Sequence, residues 1–268
     1  MQGMSNHKGG NYYFVSEVKR VDECFVDCLA TVTTALAESG MVRLTFRESK
    51  NGAKIKVIEA LGENIKKISE NVIEARILTI YAGIKKDFLF ECEYIPGDKT
   101  DQPAFIDVDM HFEFNKLGDQ QLTVVNKSFQ VQITGKQEKA AGQEPSGDIE
   151  SNLLRLQVVD VLKALQSQMN NKSLAMTLVK GLQAQIKEHE APADNQMVSS
   201  IRQVVDHIGQ MLENDKMSQK LGYSLQNYLV QQINTFSNQS SCPMFDNTGL
   251  FSTSKQTANL QAARKNGH

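Results

Sequence analysis

The chain has 268 residues, 40% of them apolar, so it can bury a core in each of two compact domains, and wholesale disorder is excluded. Its 29 Lys and Arg against 31 Asp and Glu leave a formal charge of −2, without the basic excess that neutralising phosphates demands, so no nucleic-acid partner is expected. Four cysteines (Cys24, Cys28, Cys92 and Cys242) form no CxxC pair and are too scattered to staple a secreted fold. No run approaches the roughly 20 apolar residues of a membrane helix, and the polar start Met1–Gly10 lacks the apolar stretch of a secretory signal. The expectation is a soluble protein of a reducing, intracellular compartment, without membrane insertion.

Three regions differ in hydrophobic period. Tyr12–Val15 follows the Gly9-Gly10 turn and reads as a strand, and a helical pattern begins at Val21. Val21, Phe25, Leu29, Val32 and Leu36 recur at spacings of four, four, three and four, one stripe of a helix, with Gly40 as its natural stop.

From residue 41 to about 135 the period becomes two. Val42, Leu44 and Phe46 alternate with Arg43, Thr45 and Arg47; Phe88, Phe90, Cys92 and Tyr94 share one face, opposite Glu91 and Glu93. In 106–114, Ile106, Val108, Met110, Phe112 and Phe114 alternate with Asp107, Asp109, His111 and Glu113, as in a strand buried on one face and wet on the other. Turn signals at Asn51-Gly52, Pro96-Gly97-Asp98 and Gly118-Asp119 separate the runs, which predicts an antiparallel β-sandwich over 41–136.

A Gly- and charge-rich linker spans 135–148, and the period then turns helical. Four stripes follow: Leu154, Val158, Val161 and Leu165; Ala175, Val179, Leu182 and Ile186; Met197, Ile201, Val204, Ile208 and Met211; Leu225, Leu229, Ile233 and Phe236. Asp148 and Asp194 stand at expected N-caps. Short connections favour antiparallel neighbours, so 148–238 is expected to be a helical bundle, with 239–268 a polar tail. The fold class is α+β.

Nothing in the chain assembles chemistry. Asp107, Asp109, His111 and Glu113 could ligate a metal, but alternate strand residues lie about 6.6 Å apart, too far for four to share one ion. They read as the solvated face of a strand. Cys24 and Cys28 are helix neighbours at i,i+4, yet no further Cys or His follows at zinc spacing, and buried thiols are the expectation. His7, His111, His189, His207 and His268 sit in no nucleophile motif, and Lys8-Gly9-Gly10 is too short for a phosphate loop. Met169, Met176, Met197, Met211 and Met217 read as core filling, with a groove for a partner helix as the sharper alternative. No catalytic residue, metal, cofactor or small-molecule substrate is expected.

Asn6–Val15 followed by Val21–Leu29 resembles the end of a von Willebrand factor A (VWA) domain of the intracellular eukaryotic type, in which a glycine pair enters the last strand and a "VDEAF-DCLG"-like helix follows; Ala30 stands here at the final Gly. Tyr81–Phe88 resembles a strand entry of the sandwich that follows such domains, and Ser252–Arg264 their polar tail. The helical part is similar to the Vwaint module of Hint-associated proteins. The resemblance makes residues 1–40 a C-terminal VWA remnant. It carries over no metal site, because the DxSxS loop and the later Thr and Asp of such domains have no counterpart here.

In a whole domain of this kind the 21–36 helix covers a parallel sheet. Its apolar stripe is therefore expected to be buried against the sandwich or against another protein. The functional expectation is a non-catalytic protein–protein interaction or scaffold subunit of a larger intracellular assembly, with Tyr13, Phe14, Phe25, Leu29 and Val32 as partner-binding residues. The alternatives are the substrate-recruiting part of a VWA-containing ubiquitin ligase, a fragment of a metal-dependent VWA ligand-binding protein, and a Hint-linked processing protein. The resemblance implies a cytoplasmic address, with a cytoskeletal or ciliary placement as its narrower form.

Overall fold

A computed structural model describes residues 21–82, 84–97, 104–119, 121–133, 147–188, 195–213 and 219–239. In chain order the elements are α1 (Val21–Thr34), β1 (Ala35–Phe46), β2 (Lys54–Leu61), β3 (Ile65–Ser69), β4 (Val72–Tyr81), β5 (Leu89–Ile95), β6 (Ala104–Lys116) and β7 (Leu122–Ile133). Four helices follow: α2 (Gly147–Ser167), α3 (Lys172–Glu188), α4 (Gln196–Glu213) and α5 (Gln219–Asn238). The protein is α+β, with antiparallel strand pairs throughout the described residues.

Those residues fall into two compact units, one drawn from Ala35–Tyr81 and Asp87–Pro145, the other from Met1–Thr34, Ala82–Lys86 and Ser146–His268. The expected boundary at residue 40 falls inside β1. Helix α1 ends at Thr34, and Leu36, expected on its stripe, already belongs to the strand. Gly40 does not stop a helix. It pairs with Ile77, and a Cβ there would come within 2.9 Å of the Phe112 ring, so the glycine admits a phenyl group instead. The turn out of the helix is absorbed by irregular pairing near Ala35 and Glu38, with Ser39 in the left-handed region at φ 59°.

The strand unit is a five-stranded sheet in the order β3-β4-β1-β6-β7 and a two-stranded sheet of β2 and β5. The core lies between them. Phe46, Ile65, Ile73, Ala75, Ile106 and Val108 from the large sheet bury against Val57, with Phe88, Phe90 and Tyr94 packed alongside. Full burial of a side chain such as Ile106 contributes roughly 1.5–3 kcal/mol. Phe46 and Phe90 meet edge-on at 5.8 Å across the core. The register explains the alternation in 106–114: Val42, Leu44 and Phe46 stand opposite Phe112, Met110 and Val108, while Arg43 and Thr45 stand opposite His111 and Asp109.

The turns hold this register. Gly52 takes φ 79° in the turn after β1, and its N–H donates to the Ser49 carbonyl at 3.0 Å. Gly97, just beyond β5, packs on that turn so closely that a Cβ would overlap the Asn51 carbonyl and sit 2.8 Å from the Ala53 nitrogen.

In the other unit, α2–α5 share one core. Ala175, Val179, Leu182 and Ile186 of α3 are buried, as are Leu225, Leu229, Ile233 and Phe236 of α5. The period of 3.6 thus places the expected stripes inward. N-capping falls to asparagines: the Asn171 carboxamide accepts from Leu174 N at 3.1 Å, and that of Asn195 from Val198 N at 3.2 Å. Asp148, expected as a cap, instead lies in the first turn of α2, where its charge suits the helix dipole. Asp194, expected as the next, lies outside the described residues, as does the 239–268 tail beyond Gln239.

Candidate functional site

Helix α1 is amphipathic in the inverse of the usual sense. At about 100° per residue, Val21, Phe25, Leu29 and Val32 fall within an arc of about 80°. That arc faces outward: Phe25 is 63% exposed and Val32 68%, with Val21 and Leu29 about half exposed. The buried side of the helix carries small residues, Cys24, Ala30 and Thr34. The Thr34 hydroxyl donates to the Ala30 carbonyl at 2.8 Å, which satisfies it without an outside partner. The Thr34 carbonyl in turn accepts from Ala82 N at 2.9 Å, anchoring the C-terminal end of α1. An apolar ridge of two large and two β-branched residues pointing to solvent is costly to maintain for a monomer.

Of the expected partner-binding residues, Phe25, Leu29 and Val32 lie together on this ridge. Tyr13 and Phe14 lie outside the described residues. Val21 and the exposed Cys28 extend the surface. Cys28 departs from the expectation of buried thiols in this helix. The stripe periodicity allowed a buried or an exposed ridge equally, and only the placement of Ala30 and Thr34 selects the second. Helix α1 carries Asp22, Glu23 and Asp27 and no basic residue.

The polar strand face carries no comparable geometry for chemistry. Three of the four candidate ligands are engaged across strands and Glu113 is held by His111 on its own strand: Gln130 donates to Asp107 at 3.0 Å, Ser128 to Asp109 at 2.8 Å, and Arg47 pairs with Asp109. His111 lies 2.7 Å from the Glu113 carboxylate and 2.5 Å from the Asn126 carboxamide oxygen. These hydrogen bonds, Glu113 first, hold the imidazole pKa above 6.5. Arg43 and Glu74 pair on the neighbouring strands of the same face. Among the described residues no group of three or more His, Cys, Asp and Glu is placed to hold a metal ion.

The remaining candidates are structural in placement. His207 meets Tyr228 edge-on at 5.1 Å inside the bundle. Met169, Met176, Met197 and Met211 pack against the bundle core as half-buried filling. Met217 lies outside the described residues. Cys92 was expected on the inner face with Phe90 and Tyr94 but is exposed, at a strand pair with irregular register between Val57 and Glu59. Its thiol pKa is pushed up by desolvation and by Glu91. No described helix is long and apolar enough to cross a membrane.

No family model and no curated protein matches the chain. Among solved structures it is similar to the crystal structure of the ArnB paralog VWA2 from Sulfolobus acidocaldarius, at 9% identity and a TM-score of 0.38. That similarity covers 90% of this chain and 52% of the other, so the chain spans about half the length of that structure. At this level of superposition the likeness carries no assignment of function.

Proposed function

We propose that the protein is a non-catalytic interaction subunit of an assembly, docked through α1 into an apolar groove of a partner protein. The observation that carries the reading is the outward ridge of Val21, Phe25, Leu29 and Val32 on a helix whose buried residues, among those described, are Cys24, Ala30 and Thr34. Helix-in-groove recognition uses anchors at this spacing, with Phe25 as the largest single contributor. The resemblance of Val21–Leu29 to the closing helix of A domains supports it, since such a helix rests on a parallel sheet, and every strand pair described here is antiparallel. The resemblance of the helical part to the Vwaint module, and a cytoplasmic, cytoskeletal or ciliary setting, belong to the same proposal.

The test is affinity capture of the full chain from its native source, comparing wild type with the double variant F25D/V32D. Both positions are exposed, so the variant should fold and melt as wild type does. The expected result is a stoichiometric partner held by wild type and lost by the variant. A partner retained at equal stoichiometry by the variant would remove α1 from the interface.

A further inference from the structure

The five-stranded sheet protects one of its edges and leaves the other open. Strand β3, at one edge, is five residues long, carries two exposed lysines, Lys66 and Lys67, and has irregular register after Lys67. These are the devices by which sheets discourage pairing with other chains. In the small sheet, β5 carries Glu91 and Glu93 over seven residues. Strand β7 has only one of these, a single lysine. It runs twelve residues with Lys127 as its one charge and no proline. It also pairs with β6 without a break from Ala104↔Ile133 to Asn115↔Leu122.

Its side chains confirm that the edge is uncovered. Phe129 stands opposite Val108 on the core-facing side, yet Val108 is 1% exposed and Phe129 51%. Leu122 and Val124 on the other face are exposed as well. Among the described residues no strand pairs with the outer side of β7.

We propose that β7 is a dimerisation edge, at which two copies of this chain pair β7 to β7, antiparallel, about a two-fold axis at Ser128. The sequence of the strand argues for a second copy as the occupant. A two-fold axis normal to the sheet sets residues of like parity opposite one another. Centred on Lys127, it would oppose two ammonium groups, which is unfavourable. Centred on Ser128, it sets Lys127 against Phe129 and Val125 against Val131 on the core-facing side. On the other side it sets Asn126 against Gln130, two carboxamides that can hydrogen-bond reciprocally. This register uses the strand from Thr123 to Ile133, whereas centring on Asn126 would place Val131 opposite Gln121, beyond the strand. The joined core-facing sides would shelter both copies of Phe129, and the small net charge of the chain offers little repulsion.

The register makes opposite predictions for two substitutions at one exposed site. Phe129→Lys places a second ammonium opposite Lys127 twice per dimer, and Phe129→Glu places a carboxylate there twice. Sedimentation equilibrium on the full chain should show a concentration-dependent dimer. F129K should weaken it and F129E hold or tighten it, leaving their dissociation constants about tenfold apart or more, with unchanged far-UV circular dichroism. A monomer at every concentration overturns the proposal. So does a dimer in which both substitutions act alike, since that reports lost apolar contact without the register. A dimer indifferent to both but dissolved by F25D would overturn it too, placing self-association on α1.

Discussion

The guanidinium of Arg155 donates to the Phe236 carbonyl at 2.6 Å, joining the first helix of the bundle to the last across 81 positions of sequence. Arg155 is 2% exposed, and its Nε also donates to the Asn152 carboxamide at 3.0 Å. A buried cation is tolerable here because fixed acceptors replace its water. Arg155→Ala should therefore destabilise the bundle by about 3 kcal/mol, through two abandoned acceptors and a cavity. Arg155→Lys should also destabilise, since one ammonium lacks the fork that reaches both acceptors. Urea unfolding followed by circular dichroism measures both.

The inverse orientation of α1 makes large and small residues trade their usual roles. Phe25→Ser should change stability by less than about 0.5 kcal/mol, because the side chain is mostly in water already. Ala30→Leu should cost about 1–3 kcal/mol, because Ala30 is 1% exposed and extra methylenes would overpack its site. Were the ridge buried in the free chain, the order of the two effects would reverse in the same unfolding experiment.

Gly97 bears on the turn at Asn51 at the same end of the small sheet, where Lys54 pairs with Ile95. Gly97→Ala should destabilise the sandwich by about 2 kcal/mol or more, because the new methyl meets backbone atoms of Asn51 and Ala53 that cannot rotate away. By contrast Gly118→Ala adds a methyl in open space and costs only the strain of its positive φ, about 1 kcal/mol. Comparing the two melting temperatures separates packing from backbone strain.

The polar strand face should respond to pH through His111. Its folded pKa is raised above 6.5 because Glu113 and Asn126 hydrogen-bond the imidazole. The stabilisation it contributes is therefore fully present below the unfolded value and is lost as pH rises through the raised folded value. Titration of the imidazole proton resonances should show the elevated pKa, and Glu113→Gln should bring it back toward 6.5. An unshifted His111 in wild type would mean the contact with Glu113 is not formed in solution.

Much of the molecule was legible in the chain because its elements are governed by local period. Alternation in 106–114 and the four stripes after residue 148 each have one face that must leave water, and the structure buries those faces at Ile106, Val108, Val179, Leu182, Leu225 and Leu229. Where the stripe from Val21 would end was not legible. Leu36 continues a spacing of four, and Gly40 follows where a helix commonly stops, yet pairing of β1 with β4 and β6 claims the chain from Ala35 onward. Ladder hydrogen bonds to two strands outweigh one more helical turn, and both partner strands lie distant in sequence.

The sequence by itself determined which side chains share a face, since that follows from 3.6- and 2-residue periods alone. Only the tertiary structure decided which of those faces meet a neighbour. The same periodicity that buries Val179 and Ile186 in the bundle leaves Phe25 and Val32 in solvent, and the same ladder that buries Val108 leaves Phe129 half uncovered. A period sets direction around a helix or across a strand. Whether anything stands in that direction depends on contacts between residues far apart in the chain, and at α1 and β7 it is there that the proposed partners would bind.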